Sequence, residues 1–478
     1  MTATNSNGKL LRIKALVSLA TLLCFVRTYQ MHSKLTSGIV GNANNLHHPH
    51  NETDFIMGDS ATGSAQILLR AAQTPRPIDD DIINEQIEAE RCNRYNLQYT
   101  DRKERRRIFW GALIADDSWH AISTIAIETY GIFHTAAFVE SNRTQMLYPR
   151  NMRFSPGSEN KRALVESKMF GPNTIVTVDY YINESKWPDQ LGREHDQRSL
   201  IIKRWKENGM TPHDLGLLSD ADETFSRDFL RALQICDVPE FDSKYHGNCY
   251  NPRVRAPSLH YEGSPLCVQN KRWNHPDVII GECIETIGDS TKHPPVGKRA
   301  WEGIGWRDDG WAYTTEYSAL PKNTTHYPLW NAADFRRGNG GGVLLGAGFH
   351  LHNFFPSISS VRWKYETYGH PHLNAEAMPL GSIDGDLNFM VNCVVNWTTD
   401  AVHKLDASTN ITSMPLAFQI PGYTQQRHSE IREEILRDEK ELKEKAEAAE
   451  RRYEEMRAKY FERQAMAKNA TEGEDTQQ

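Results

Sequence analysis

The chain has 478 residues, with 55 Lys and Arg against 62 Asp and Glu, a formal net charge of −7 and 10% aromatic residues. That length holds one large α/β domain or two ordinary ones plus appendages, and the aromatic content excludes wholesale disorder. No basic face and no basic, aromatic-interleaved motif is present, which argues against nucleic acid as a partner.

Near the N-terminus, Lys9, Arg12 and Lys14 precede the apolar run Ala15 to Val26, and Arg27 closes it. Leu10, Leu11 and Ile13 extend the run, so residues 10–27 are expected to form a short membrane span whose flanking cations snorkel to the headgroups. No small-x-small cleavage site follows Cys24-Phe25-Val26. The expectation is therefore an uncleaved signal anchor rather than a removed signal peptide. The cation excess before the run predicts a cytoplasmic tail over residues 1–9 and a lumenal body. Asn-x-Ser/Thr sequons at Asn51, Asn142, Asn183, Asn323, Asn396, Asn410 and Asn469 all lie downstream. Beyond Cys24, the six cysteines Cys92, Cys236, Cys249, Cys267, Cys283 and Cys393 can form three disulfides, by any of about fifteen pairings. None stands in a CxxC pair, so zinc and thioredoxin-like chemistry have no support.

Residues 28–104 read as a stem or linker, with His47-His48-Pro49-His50 in a solvated stretch. Residues 105–425 alternate apolar and helical segments and read as a catalytic domain. Ala136 to Val139 and Thr174 to Val178 are predicted strands, and Ser118 to Tyr130 and Arg198 to Asn208 predicted helices. Such alternation predicts a mainly parallel sheet with helices on both faces, and ligands beyond the carboxyl ends of its strands. There the apolar run Leu215-Gly216-Leu217-Leu218 ends in Asp220, Asp222 and Glu223. In an extended segment Asp220 and Asp222 project together, a hard-oxygen site for Mn²⁺ or Mg²⁺. The plainer reading is that they form a turn and cap a helix over Phe225 to Leu233. Residues 426–478 carry Ile435, Leu442, Ala446, Ala449, Tyr453, Met456 and Tyr460 at three- and four-residue spacing among charges. They predict a long amphipathic helix, either lying solvated on the domain or pairing with a second copy of the chain as a homo-oligomer.

Several segments together resemble glycosyltransferase family 17, which includes the β-1,4-mannosyl-glycoprotein 4-β-N-acetylglucosaminyltransferase. They are Phe138 to Thr144 with Pro149, Arg150 and Phe154, then Glu194 to Arg198, Ser219 to Glu223 with Phe229-Leu230-Arg231, Gly348 to Asn353, and Lys364 with His370. They keep their order over roughly residues 105–400. Two departures stand out. Gly348-Phe349-His350-Leu351-His352 occupies the place of an expected Gly-Trp-His-x-Ser, and Thr224 replaces an expected proline. Lys244 to Asn339 has no counterpart, so acceptor recognition is expected to differ more than donor handling.

The resemblance implies a GT-A-like α/β nucleotide-diphospho-sugar fold, UDP-GlcNAc as donor, a glycoprotein N-glycan as acceptor, and inversion at the transferred sugar. A departing diphosphate calls for a divalent cation. Asp220 and Asp222 are the expected ligands, with His350 completing the set or touching the diphosphate, or else satisfying a core hydrogen bond. Glu223, Glu140 and Asn142 are candidates for the donor pocket, and Arg143, Arg150 and Arg198 for the diphosphate, since guanidinium matches phosphate oxygens in a fork. Inversion needs a general base, for which Asp116, Asp117, Asp384 and Asp386 are candidates, each equally readable as a turn acid. Trp301, Trp306 and Trp311 read as core before sugar platform, and the Gly338 to Gly342 run lacks the Gly-Lys-Ser/Thr of a P-loop.

The expected protein is thus a single-pass type II Golgi membrane glycosyltransferase with a lumenal catalytic domain. A catalytically inactive glycan-binding protein of the same fold is the alternative. A metal-dependent phosphohydrolase would need a second cluster of His and Asp ligands, which the sequence does not display.

Overall fold

A computed structural model describes residues 56, 63–78, 83–116, 118–182, 190–241, 249, 252–255, 258–291, 329–332, 342–343, 347–368, 371–372, 374–396 and 414–474. The expected anchor over 10–27, Asp117, His370, the three tryptophans between 301 and 311, and Gly338 to Gly341 lie outside them. Among the described residues no helix is long and apolar enough to cross a membrane.

The strands in chain order are β1 (Gln98–Tyr99), β2 (Ile108–Ile114), β3 (Phe133–Ser141), β4 (Ile175–Tyr181), β5 (Leu215–Asp220), β6 (Glu223–Phe225) and β7 (Cys236–Asp237). They continue as β8 (Arg253–Arg255), β9 (Ser258–Glu262), β10 (Val268–Trp273), β11 (Asp277–Ile280), β12 (Gly342–Val343) and β13 (Gly348–His352). Seven form one sheet in the order β12-β8-β11-β5-β2-β3-β4. Within it β5, β2, β3 and β4 run parallel, whereas β11 is antiparallel to both β5 and β8. The sheet is therefore mixed, with a parallel half. A separate four-stranded sheet has the order β10-β9-β13-β6.

The helices are α1 (Gly63–Gln73), α2 (Glu85–Arg94), α3 (Trp119–Glu128), α4 (Glu159–Val165), α5 (Gln190–Glu207), α6 (Arg227–Ile235), α7 (Ile358–Thr367), α8 (Gly385–Val391) and α9 (Tyr423–Glu474). Helix α5 lies on β2 and β3, and its Trp205 donates Nε1–H to the carbonyl of Trp110 at 3.1 Å. Gly111 leaves the space that Ile201 and Trp205 fill. One residue along β2, Trp110 points to the opposite face and meets Phe138 and Phe170, so both faces of the strand are covered.

Residues 63–104, read as linker from their composition, carry two helices that belong to the core. Leu68, Leu69 and Ala72 of α1 are fully buried and pack with α3. Burying each leucine stabilises the fold by roughly 1.5–3 kcal/mol, which a linker composition does not reveal. Helix α2 is capped by Asn84, which accepts from the Gln86 and Ile87 amides, and is tied by the Cys92–Cys236 disulfide. The other bridges are Cys249–Cys283 and Cys267–Cys393, so all six cysteines beyond Cys24 are paired.

Helix α9 begins inside the fold. Tyr423, Arg427, Ile431 and Ile435 are buried, and Asp438 receives a two-pronged bond from Arg362 at 2.6 and 2.8 Å. Farther along, Tyr453 and Met456 are exposed.

Candidate functional site

The chain leaves the large sheet at the end of β5 and enters the small one at β6, with only Ala221 and Asp222 between. That turn stands where the strand order reverses, since β5 and β3 flank β2 on opposite sides. Open α/β sheets place ligands at such a point. The three acids part company there. Asp220, the last residue of β5, accepts from Arg198 Nη2 at 2.6 Å. Asp222, in the turn, approaches His350 Nε2 at 3.6 Å. Glu223, first in β6 and fully buried, accepts from Trp273 Nε1 at 2.5 Å and from the Asp220 amide at 3.3 Å. Asp220 and Asp222 thus have different partners, Arg198 and His350, and the extended segment stops between them. The helix that follows is capped by Ser226, which accepts from the Phe229 amide.

His350 comes from β13, where it pairs across to Glu223 in antiparallel register. Its ring stacks on Trp273, with centroids 4.7 Å apart and planes 22° apart. Asp222, Glu223 and His350 thus form a group whose ligand atoms lie within 4.8 Å of one another and could hold a metal ion. A second group, His260, Glu262, His352 and Asp386, meets the same distance. The groups touch through His260 Nδ1 and His350 Nδ1, 3.0 Å apart. Burial lowers the affinity of His260 for a second proton, and holds His352 well below the ordinary imidazole range with help from the Lys364 charge.

The sequence pattern gives no hint of His260 and Glu262. A signal exists only with β9 and β13 in register, when His-x-Glu and His-x-His face one way.

At the ends of β2 and β3 lies a separate set. Glu140 is buried and accepts from the amides of Arg153 at 2.6 Å and Phe154 at 2.9 Å, so it anchors the loop after β3. Its burial pushes its carboxyl up to about 7 against the pull of Arg150. Arg150 reaches the Ser141 carbonyl at 2.7 Å, Asp116 at 3.3 Å and Glu140 at 3.5 Å. Asp116 also accepts from the Tyr368 hydroxyl at 3.0 Å. Asn142 keeps a buried Oδ1 with no hydrogen-bond partner.

The remaining candidates divide. Arg198 is buried against Glu194 and Asp220, and Arg143 donates to the Leu147 carbonyl. Asp384 caps α8 by accepting from the Leu387 amide at 2.7 Å, the turn role open to it in the sequence, while Asp386 joins the second histidine group. Lys364, part of the resemblance, donates to Asn353 Oδ1 at 3.0 Å.

Fold and site together define an α/β protein with paired carboxylate–histidine groups at the junction of two sheets. Comparison of the chain with protein-family models, with curated proteins and with solved structures finds no match.

Proposed function

We propose that this protein is a metal-dependent, inverting glycosyltransferase of the GT-A-like kind, transferring GlcNAc from UDP-GlcNAc to an N-glycan β-mannose. The observation that carries the reading is the Asp222–Glu223–His350 group, set where the order of the parallel strands reverses. Asp222 and His350 would hold Mn²⁺ or Mg²⁺, and Glu223 would join them from the place Trp273 fixes. Bound there, the cation supplies Lewis-acid charge for the departing diphosphate.

The protein's own residues shape the rest. Asp220, held by Arg198, keeps the end of β5 extended. Asn142, with its unpartnered buried oxygen, would meet the donor, and Arg150, which reaches the Ser141 carbonyl at the end of β3, would meet its diphosphate. Three disulfides agree with folding in an oxidising, lumenal compartment, as the Golgi type II topology requires.

The test is nucleotide release by the full-length protein from a panel of nucleotide sugars, with and without Mn²⁺. Metal-dependent release from UDP-GlcNAc, lost in Asp222→Ala with folding retained, is expected. Release unchanged in that variant overturns the reading. Glycan binding with no release from any donor makes the protein an inactive glycan binder instead.

A second reading, a metal-dependent phosphohydrolase, is favoured by one observation: the additional histidine–carboxylate group the sequence does not display. Metal-dependent hydrolysis of phosphate esters without any acceptor sugar would decide for it.

A further inference from the structure

Strands β9 and β13 are parallel neighbours, with His260 paired to His350 and Glu262 to His352. A period of two puts these four side chains on one face of the small sheet. Helix α8 brings Asp386 to the same face, its first turn fixed by the Asp384 cap.

We propose that His260, Glu262, His352 and Asp386 form a second divalent-cation site, beside the Asp222–Glu223–His350 group, that takes a transition ion such as Mn²⁺, Co²⁺ or Zn²⁺. Glu262 Oε2 lies 2.9 Å from His260 Nε2 and 2.8 Å from His352 Nδ1, and Asp386 Oδ2 is 3.8 Å from His352 Nδ1. Donor atoms about 2.1 Å from a common ion stand about 3.0 Å apart at right angles and about 3.4 Å apart tetrahedrally. The spacings bracket those edges. Two imidazoles and two carboxylates are a donor set for borderline ions; Mg²⁺ and Ca²⁺ prefer oxygen alone.

The ligands are also held from behind. Asn353 donates to Glu262 Oε1 at 2.5 Å and receives Lys364 at 3.0 Å, while Gln269 donates to Asp386 Oδ1 at 3.1 Å. Outer partners of this kind orient metal ligands. Glu262 and His260 are almost wholly buried, whereas His352 and Asp386 keep 16% and 17% of their side chains exposed, which leaves an entry for the ion.

One constraint links the two groups. Only one proton fits between His260 Nδ1 and His350 Nδ1. If His350 offers Nε2 to an ion beside Asp222, its own Nδ1–H points at His260, whose remaining proton then sits on Nε2 facing Glu262. Neutral His260 and His350 therefore do not both ligate through Nε2, and the second ion binds more weakly once the first is in place.

The test is titration of the metal-free full-length protein with Co²⁺, reading stoichiometry and the visible absorption of bound cobalt. Wild type is expected to take two equivalents of unequal affinity. Asp386→Asn and His352→Gln should each weaken one of them at least about tenfold and leave the other. Asp222→Asn should remove the other, and the remaining ion should then bind more tightly than the second ion does in wild type. Both variant positions at the second site are partly exposed, and denaturant unfolding checks that each folds. A single equivalent in wild type that Asp386→Asn does not alter overturns the proposal, as does retention of two in both variants. The readout does not depend on nucleotide release, so a protein that binds two ions but cleaves no donor refutes the glycosyltransferase reading and not this one.

Discussion

Replacing Gly348 by alanine tests how tightly β13 positions the histidines of both groups. Gly348 opens that strand, pairing with Ser258 on one side and Phe225 on the other, two residues before His350. A Cβ there would fall well inside van der Waals distance of Ser258 Oγ, 3.1 Å from the Thr224 carbonyl and 3.2 Å from Ser258 Cβ. Regaining ordinary contact requires a shift on the order of 1 Å between strands bonded on both edges. Overpacking of this sort costs about 1–3 kcal/mol, and a site displaced by as much loses on the order of tenfold or more in metal affinity. Ser258→Ala removes the colliding hydroxyl, at a cost of about 1 kcal/mol for its 2.6 Å bond to the His275 carbonyl. The double variant should therefore be more stable than the two single losses add up to, by about 1 kcal/mol or more. Denaturant unfolding of the four proteins, with Co²⁺ titration alongside, measures both effects. Additive losses, or a Gly348→Ala protein that unfolds and binds metal as wild type does, would refute the packing argument.

Three further outcomes follow from burial and exposure. Glu140 has a carboxyl raised from 4.5 to about 7, so its contribution to stability is full below pH 4.5 and is lost as pH rises through 7. The shift corresponds to ~3 kcal/mol, and the stability difference between wild type and Glu140→Gln should change by that order between pH 4.5 and 7.5; a difference flat with pH would count against it. In α9, Ile431→Ala should cost about 2–5 kcal/mol because Ile431 is fully buried. Truncation after Lys445 removes the exposed Tyr453 and Met456 and should change unfolding by less than about 0.5 kcal/mol; a larger loss would mean the far part of the helix is packed against something.

Local periodicity made the parallel half of the fold legible. The predicted strand Ala136 to Val139 falls inside β3, Thr174 to Val178 overlaps β4 from Ile175 onward, and Ser118 to Tyr130 contains α3. Each is a run whose pattern reflects burial by its immediate neighbours. The antiparallel insertion of β11 between β5 and β8 was not legible, because nothing in Asp277–Ile280 alone states its direction. Residues 63–104 were misleading for a related reason. Their helices are short, with burial carried by Leu68, Leu69, Ala72 and Cys92 against partners distant in sequence.

The site shows the same limit at finer scale. Asp220 and Asp222 read as a pair only while the segment is taken as extended through both. The chain instead turns at Ala221–Asp222, because Glu223 must start β6 opposite His350. Once that turn is made, the three carboxylates take three different partners: Arg198, His350 and Trp273. The positive charge of Arg198 is paired with the negative charge of Asp220, and Asp222 and Glu223, rather than the Asp-x-Asp pair, fall in a group that could hold a metal ion. His350 completes it across the β13–β6 pairing, which joins positions 127 residues apart, and the β13–β9 pairing on the other edge carries His352 to Glu262. The candidate site at this junction is thus set by the register of β13 against β6 and β9, and neither half of the register is visible from one segment alone.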